Sequence, residues 1–291
     1  IFLSAAWFRN RSSNQLVGVP LPGTTGFSSI QSNFDATVEN TGVELELRTN
    51  NLKGRDFSWT STVNLTVPKN KLVSFPGLES STYANQLVVG ESLFIKKVFN
   101  YTGIDPQTGA YTFQDFNGDG QITYQDDRQT IVDTSPKYYG GLNNQLAYKN
   151  WSLDFLFQFV KQTGRNYLYT SALPGSFVNQ PAAMANHFPQ DGITAVSQQY
   201  TTGQNSTLLE GHYNLIDSNA AYSDASFVRL KSLTLVYAIP SAWSKTFTGK
   251  VYLQGQNLLT ITDFRGADPE NQSASALPPL RQFTMGIQLG F

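Results

Sequence analysis

Apolar and polar residues alternate along much of this chain. In Phe57–Val67, the residues Phe57, Trp59, Val63, Leu65 and Val67 share one parity, and Ser58, Thr60, Thr62, Asn64 and Thr66 share the other. Successive side chains of a strand point to opposite faces, so such a segment predicts a two-faced strand. Gly42–Thr49 sets Val43, Leu45 and Leu47 against Glu44, Glu46 and Arg48, and Trp151–Lys161 places Trp151, Leu153, Phe155, Phe157 and Phe159 on one side. In Arg281–Phe291, Phe283, Met285, Ile287, Leu289 and Phe291 oppose Gln282, Thr284, Gly286, Gln288 and Gly290. Ile1–Arg11, Tyr138–Tyr148, Phe227–Ala238 and Gly249–Thr262 bring the predicted strands to eight. The sixth, Phe227–Ala238, has a conflict of phase, because Arg229 and Lys231 share parity with Leu233, Leu235 and Tyr237. A lipid-facing cation costs about 2–4 kcal/mol at mid-membrane and about 0–1 near the interface. The pattern therefore predicts both cations at the outer rim of the apolar face, with Tyr237 in the opposite aromatic girdle; the competing phase turns both cations inward.

The predicted connections alternate in length. Ser12–Thr41, Pro68–Lys137, Gln162–Ser226 and Asp263–Leu280 are long, while Asn50–Asp56, Lys149–Asn150 and Ile239–Thr248 are short. Long loops at one end and tight turns at the other are what a transmembrane β-barrel shows. Composition agrees with that class. Charged residues make up 14% of the 291 residues, against about 25% in an average soluble domain. Aromatics reach 13%, yet mean hydropathy is −0.28, which suits a polar lumen and long loops. No run approaches the length of a membrane helix, and a barrel needs none. The net charge of −1 does not call for nucleic acid, and the absence of cysteine excludes disulfides and zinc–thiolate sites. The predicted fold class is thus an all-β, antiparallel transmembrane barrel. Its two longest loops would dwarf a closed eight-stranded barrel, and the opening I-F-L-S-A-A-W-F already reads as strand. Residues 1–291 are therefore expected to be the C-terminal portion of one larger barrel domain.

Several motifs, in order, carry a resemblance. Phe8–Val17 and N-T-G-V-E-L at Asn40–Leu45, the acidic run Asp115–Arg128, S-P-K-Y-Y-G-G-L-N-N at Ser135–Asn144 and Y-K-N-W at Tyr148–Trp151 resemble segments of SusC/RagA-type TonB-linked outer-membrane proteins. So do Phe227–Pro240 and R-G-A-D-P-E at Arg265–Glu270. The resemblance implies a plugged barrel of about 22 strands. It implies a bacterial outer-membrane location of Bacteroidetes type, long loops outside and the C-terminus in the periplasm. It also implies import of oligosaccharides or peptides driven through TonB, with a SusD-like surface lipoprotein as cap. The terminal aromatic Phe291 resembles the signal that outer-membrane strands present to the barrel-assembly machinery.

Asp115, Asn117, Asp119, Gln121 and Asp126, with Gly120 at the turn and Ile122 after Gln121, fit the spacing of a calcium loop. Position 12 is Asp126 instead of Glu, and Asp127 competes for that role; the alternative is a solvated Asx turn without metal. His187 and His212 share one long loop and sit in no nucleophile motif, so no catalytic residue and no required cofactor are predicted. Tyr83, Tyr101, Tyr111, Phe113, Tyr124, Tyr167, Tyr169, Phe177, Phe188, Tyr200, Tyr213 and Tyr222 fall in the two longest loops. They are either a binding surface for sugars or partner proteins, or packing between loops. Trp59, Tyr148 and Trp151 are expected as girdle anchors, and Glu44, Glu46, Arg48 and Asp154 are expected to face the lumen. The readings kept beside import are a small barrel serving as adhesin or docking scaffold, and a barrel-embedded hydrolase.

Overall fold

The computed structural model describes residues 1–21, 23–188, 195–240, 242–243, 248–273 and 276–290. Phe291, the expected assembly signal, lies outside the described residues. In chain order the elements are β1 (Phe2–Pro20), β2 (Ser29–Lys53), β3 (Phe57–Ser74), β4 (Ile95–Val98), β5 (Tyr101–Ile104), β6 (Tyr111–Phe113), β7 (Thr130–Asp133), β8 (Tyr138–Tyr148), β9 (Trp151–Lys161), β10 (Thr163–Arg165), α1 (Ser206–Ile216), β11 (Tyr222–Asp224), β12 (Phe227–Ala238), β13 (Thr248–Ile261) and β14 (Gln282–Gly290). One antiparallel sheet orders eight of them as β1-β2-β3-β8-β9-β12-β13-β14. The strands β8 and β9 have 11 residues each, the length a tilted strand needs to cross a membrane.

The register makes the two faces continuous across the sheet. Leu3, Leu47, Val63, Leu142, Phe157, Leu230 and Leu259 follow one another as cross-strand partners over seven strands. A second apolar row runs Leu52, Trp59, Leu146, Leu153, Leu235, Leu253, Met285. The alternate residues give polar rows, such as Glu46, Asn64, Gly141, Gln158, Arg229, Thr260. The apolar side chains at the β14 edge stay open to the surroundings, Met285 being 79% exposed. A face this apolar and this uncovered is a membrane-facing wall.

Two expectations change. The predicted outer loop Ser12–Thr41 is largely a hairpin, because β1 and β2 keep pairing to Pro20↔Ser29. The strand β3 likewise runs through Pro68 to Ser74; Pro68 pairs with Gly42, and β8 has already left the other edge at Thr66↔Tyr139. A proline is tolerated there because that edge needs no N–H donor. The second change concerns Arg229 and Lys231, which do not both lie at the rim of the apolar face. The register slips between Leu230 and Ser232 against both β9 and β13, so Lys231 is a β-bulge. The extra residue resets the phase: Arg229 falls on the polar face opposite Gln158, and Leu233 falls on the apolar face opposite Phe155.

The girdle forms at the short-turn end. Trp151 lies 4.6 Å from Tyr237, whose ring lies 6.5 Å from that of Trp243. The Trp59 indole N–H turns into the wall and donates to Asn144 Oδ1 at 2.9 Å, an oxygen that also accepts from Ser61 Oγ at 2.6 Å. Asn144, a polar side chain on the apolar face, is buried, and its Oδ1 is thereby satisfied.

Candidate functional site

The two longest connections fold against each other at the long-loop end of the wall. The first contributes the hairpin pairs β4–β7 and β5–β6, and the second contributes α1 and the pair β10–β11. Asn205 accepts from the Leu208 N–H and caps α1, which buries Leu208, Gly211, His212 and Leu215 on one face. Gly211 faces Gln198 and β6: a Cβ there would sit 3.2 Å from Gln198 Oε1, tighter than ordinary contact, and 3.5 Å from the Tyr111 backbone. The two loops are laced by Phe99 N–H to Asp217 C=O at 3.1 Å, Asn219 N–H to Phe99 C=O at 2.9 Å and Asn219 Nδ2 to Asn100 Oδ1 at 2.7 Å.

The loop aromatics divide accordingly. Tyr101, Tyr111, Phe113 and Phe99 form a packed cluster with centroids 5.8–6.0 Å apart. Burial, with Tyr111 beside it, pushes the Tyr101 phenol up to about 12. These residues hold the assembly together. Phe177 and Tyr213, in contrast, project outward. Between the second long loop and the last one lies a cleft of about 730 Å³ lined by Arg165, Tyr167, Tyr169, Phe264, Ala267 and Gln272. The Arg165 guanidinium stacks 3.7 Å above the Tyr169 ring and donates to the Tyr222 hydroxyl at 3.2 Å. A planar cation and aromatic faces are chemistry for carboxylates, amides and sugar rings.

The last loop forms one wall of this cleft and is pinned to the sheet by Arg229. The guanidinium, 1% exposed, donates to the carboxylates of Asp268 and Glu270 and to Thr260 Oγ1 at 2.9 Å. Lys231 reaches the same Glu270 at 2.8 Å. Asp268 also accepts from the backbone N–H groups of Glu270 and Asn271, at 3.0 and 3.2 Å, fixing the loop's turn. Gln162 Nε2 adds a bond to Pro269 C=O at 2.8 Å. The sequence placed R-G-A-D-P-E in the last loop without pairing it to Arg229. The signal was the out-of-phase cation itself, which needs a counter-ion wherever it is buried.

In the acidic loop, Asp115 accepts from Gly118 and Gly120 N–H at 2.6 and 2.8 Å, and Asp119 accepts from Gln121 N–H at 2.8 Å. Asp127, fully buried, closes the loop by accepting from Phe116 and Thr123 N–H at 2.7 and 2.8 Å. Asp126 is exposed and accepts from Thr123 Oγ1 at 3.0 Å. Asn117 donates to Asp119 at 3.0 Å. Among the described residues no three acidic or histidine side chains gather as a metal cluster. Calcium at Asp115, Asn117, Asp119, Gln121 and Asp126 is therefore a proposal carried by spacing, and the carboxylates keep lone pairs beside their N–H donors with which to take it. Calorimetry on the folded protein tests it: heat of binding at millimolar calcium, lost in Asp115→Asn, supports the proposal, and no heat ends it.

The two histidines have different surroundings. His187 Nδ1 faces Phe188 C=O at 2.9 Å, and its ring lies 3.7 Å from that of Tyr200. His212 is buried and its Nδ1 has no partner among the described residues.

No protein-family profile matches the chain. Individual relatives do. TonB-dependent receptor P3 of Formosa agariphila is 30% identical over 99% of this chain and 32% of its own length. TonB-dependent receptor SusC of Bacteroides thetaiotaomicron is 24% identical over 98% of the chain and 29% of its own length. Among solved structures, one described as that of the RagAB peptide transporter superposes with a TM-score of 0.78 at 25% identity, over 99% of this chain and 33% of the other. The chain thus spans about a third of the length of the relatives it matches. The two-faced antiparallel wall with its loop assembly is part of an outer-membrane β-barrel. By sequence and by fold, it matches the C-terminal part of TonB-dependent receptors of the SusC/RagA type.

Proposed function

We propose that this chain forms the C-terminal wall and much of the extracellular loop assembly of a TonB-dependent importer of oligosaccharides or peptides. The observation that carries this reading is the eight-stranded sheet with one apolar face and every long connection at the same end. In this reading the polar rows face a plugged lumen, the Arg165–Tyr169 cleft contributes to substrate capture, and the outer loops meet a SusD-like lipoprotein. TonB acts through a segment of the complete receptor other than these strands. The C-terminal strand is the part offered to the assembly machinery. The similarity to SusC and to the RagAB peptide transporter supports the class of activity.

Residues 1–291 contain no cysteine, so once any cysteine elsewhere in the complete receptor is replaced, single introduced cysteines report orientation cleanly. In the complete receptor, Tyr213→Cys is expected to react with a membrane-impermeant maleimide on intact cells, and Asn150→Cys only after permeabilisation. The opposite pattern would overturn the orientation. Uptake of labelled oligosaccharides and peptides in cells with and without TonB tests the activity; uptake of neither class, or uptake that ignores TonB, would refute it.

A further inference from the structure

The apolar face of β1–β3 changes character along its length. Three successive cross-strand rows are apolar: Leu3–Leu47–Val63, Ala5–Leu45–Leu65 and Trp7–Val43–Val67. The next two rows toward the long-loop end are Arg9–Thr41–Lys69 and Arg11–Glu39–Lys71. Rows on one face are two residues apart, so all four cations lie within about 13 Å of the Trp7 row. One carboxylate stands among them: Glu39 Oε2 accepts from both guanidiniums, at 2.7–3.0 Å. Lys69 and Lys71 are exposed and make no ion pair among the described residues. The opposite face at this height carries no such charge. Its row is Asn10–Asn40–Asn70, joined by Asn70 Nδ2 to Asn40 Oδ1 at 2.7 Å. A merely solvated rim has no reason to keep its cations on the membrane side alone, in a chain whose net charge is −1.

We propose that this strip docks a phosphorylated lipid of the outer leaflet, its phosphates on Arg9, Arg11, Lys69 and Lys71 and its acyl chains on the Trp7–Val43–Val67 row and below. Trp7, 67% exposed, marks the boundary as an interfacial aromatic. Glu39 holds the two guanidiniums side by side, leaving their remaining N–H groups for phosphate oxygens, and the lysines add point charges. The inference rests on the proposed membrane orientation of this face.

The test uses the complete receptor in phosphatidylcholine nanodiscs, titrated with diphosphoryl lipid A or its dephosphorylated form and read by native mass spectrometry. Wild type is expected to prefer the diphosphoryl lipid. Arg9→Gln/Arg11→Gln/Lys69→Gln/Lys71→Gln is expected to lose about tenfold or more of that affinity, since each cation near an anionic surface contributes. Glu39→Gln is expected to bind at least as tightly as wild type, a result that a purely structural role for the Arg–Glu pairs would not produce. The paired variants Arg9→Gln/Arg11→Gln and Lys69→Gln/Lys71→Gln, each with a partial loss, serve if the fourfold variant does not fold. Equal affinity in variant and wild type, equal binding of the two lipids, or charge-dependent capture of an acidic protein in place of lipid would overturn the proposal. A receptor that never inserts into nanodiscs would refute the membrane reading instead.

Discussion

Arg229 shows how one side chain can organise a loop. Its guanidinium and Asp268 are both buried, and such a pair contributes little net stability relative to an apolar substitute while being costly to break from one side. Arg229→Leu leaves the buried Asp268 carboxylate without its counter-ion, while Glu270 keeps Lys231, so a local loss of about 3–5 kcal/mol is expected. Hydrogen exchange should show it as faster exchange over residues 263–273, with the wall strands unchanged. His212 gives a prediction in pH. Burial lowers its pKa, against a hydrogen bond to the Ser171 backbone that raises it. The folded ring thus stays neutral to a lower pH than the ring of the unfolded chain, which takes up its proton near pH 6.5. Its contribution is whole above that value and falls as the pH drops below it, levelling only below the folded pKa. The loop assembly should therefore melt at lower temperature at pH 5 than at pH 7.5, and His212→Gln should flatten that difference in a calorimetric scan.

At the scale of elements, what the sequence showed was what alternation can show. The strands β8, β9 and β12 have the bounds predicted from periodicity, because each must keep one face apolar. The outer arms of β1 and β2 escaped notice because the stretch from Ser12 to Thr41 has no such obligation. Its pairing is held by the ladder to Pro20↔Ser29, and ladders leave little trace in composition. The acidic loop was legible as a turn from its Asp and Gly spacing, but Asp127, not Asp126, is the buried acceptor that closes it. The bulge at Lys231 was visible only as a contradiction, two cations in phase with three lipid-facing residues. One inserted residue resolves it, and this predicts the effect of removing that residue. Deleting Lys231 restores strict alternation and leaves Arg229 on the polar face and Leu233 and Leu235 on the apolar one, because the deleted residue is the one without a partner. Both faces are kept, so the deletion variant of the complete receptor should still give a heat-modifiable band on electrophoresis, and loss of that band would overturn the bulge assignment. Lys231→Ala keeps the bulge and should assemble.

The whole molecule is a wall with two open edges. The strands β1 and β14 each pair on one side only within this sheet, and their free edges carry rows of backbone N–H and C=O groups. Water satisfies such groups in a soluble protein, but hydrocarbon does not, and each unpaired group there costs several kcal/mol. Only closure removes that cost. Eight strands do close in small barrels, so the question is whether these eight curl onto themselves or require further strands. The shape points to further strands: the chain superposes on about a third of a larger structure, with a TM-score of 0.78. Residues 1–291 expressed alone and offered to planar bilayers should accordingly give no stable conductance, and in detergent they should associate through their edges. Co-expression with the missing part of the barrel should restore a monomeric, heat-modifiable species. A uniform pore from the isolated chain would show instead that β1 pairs with β14, and the 79% exposure of Met285 would then belong to the outside of a small closed barrel.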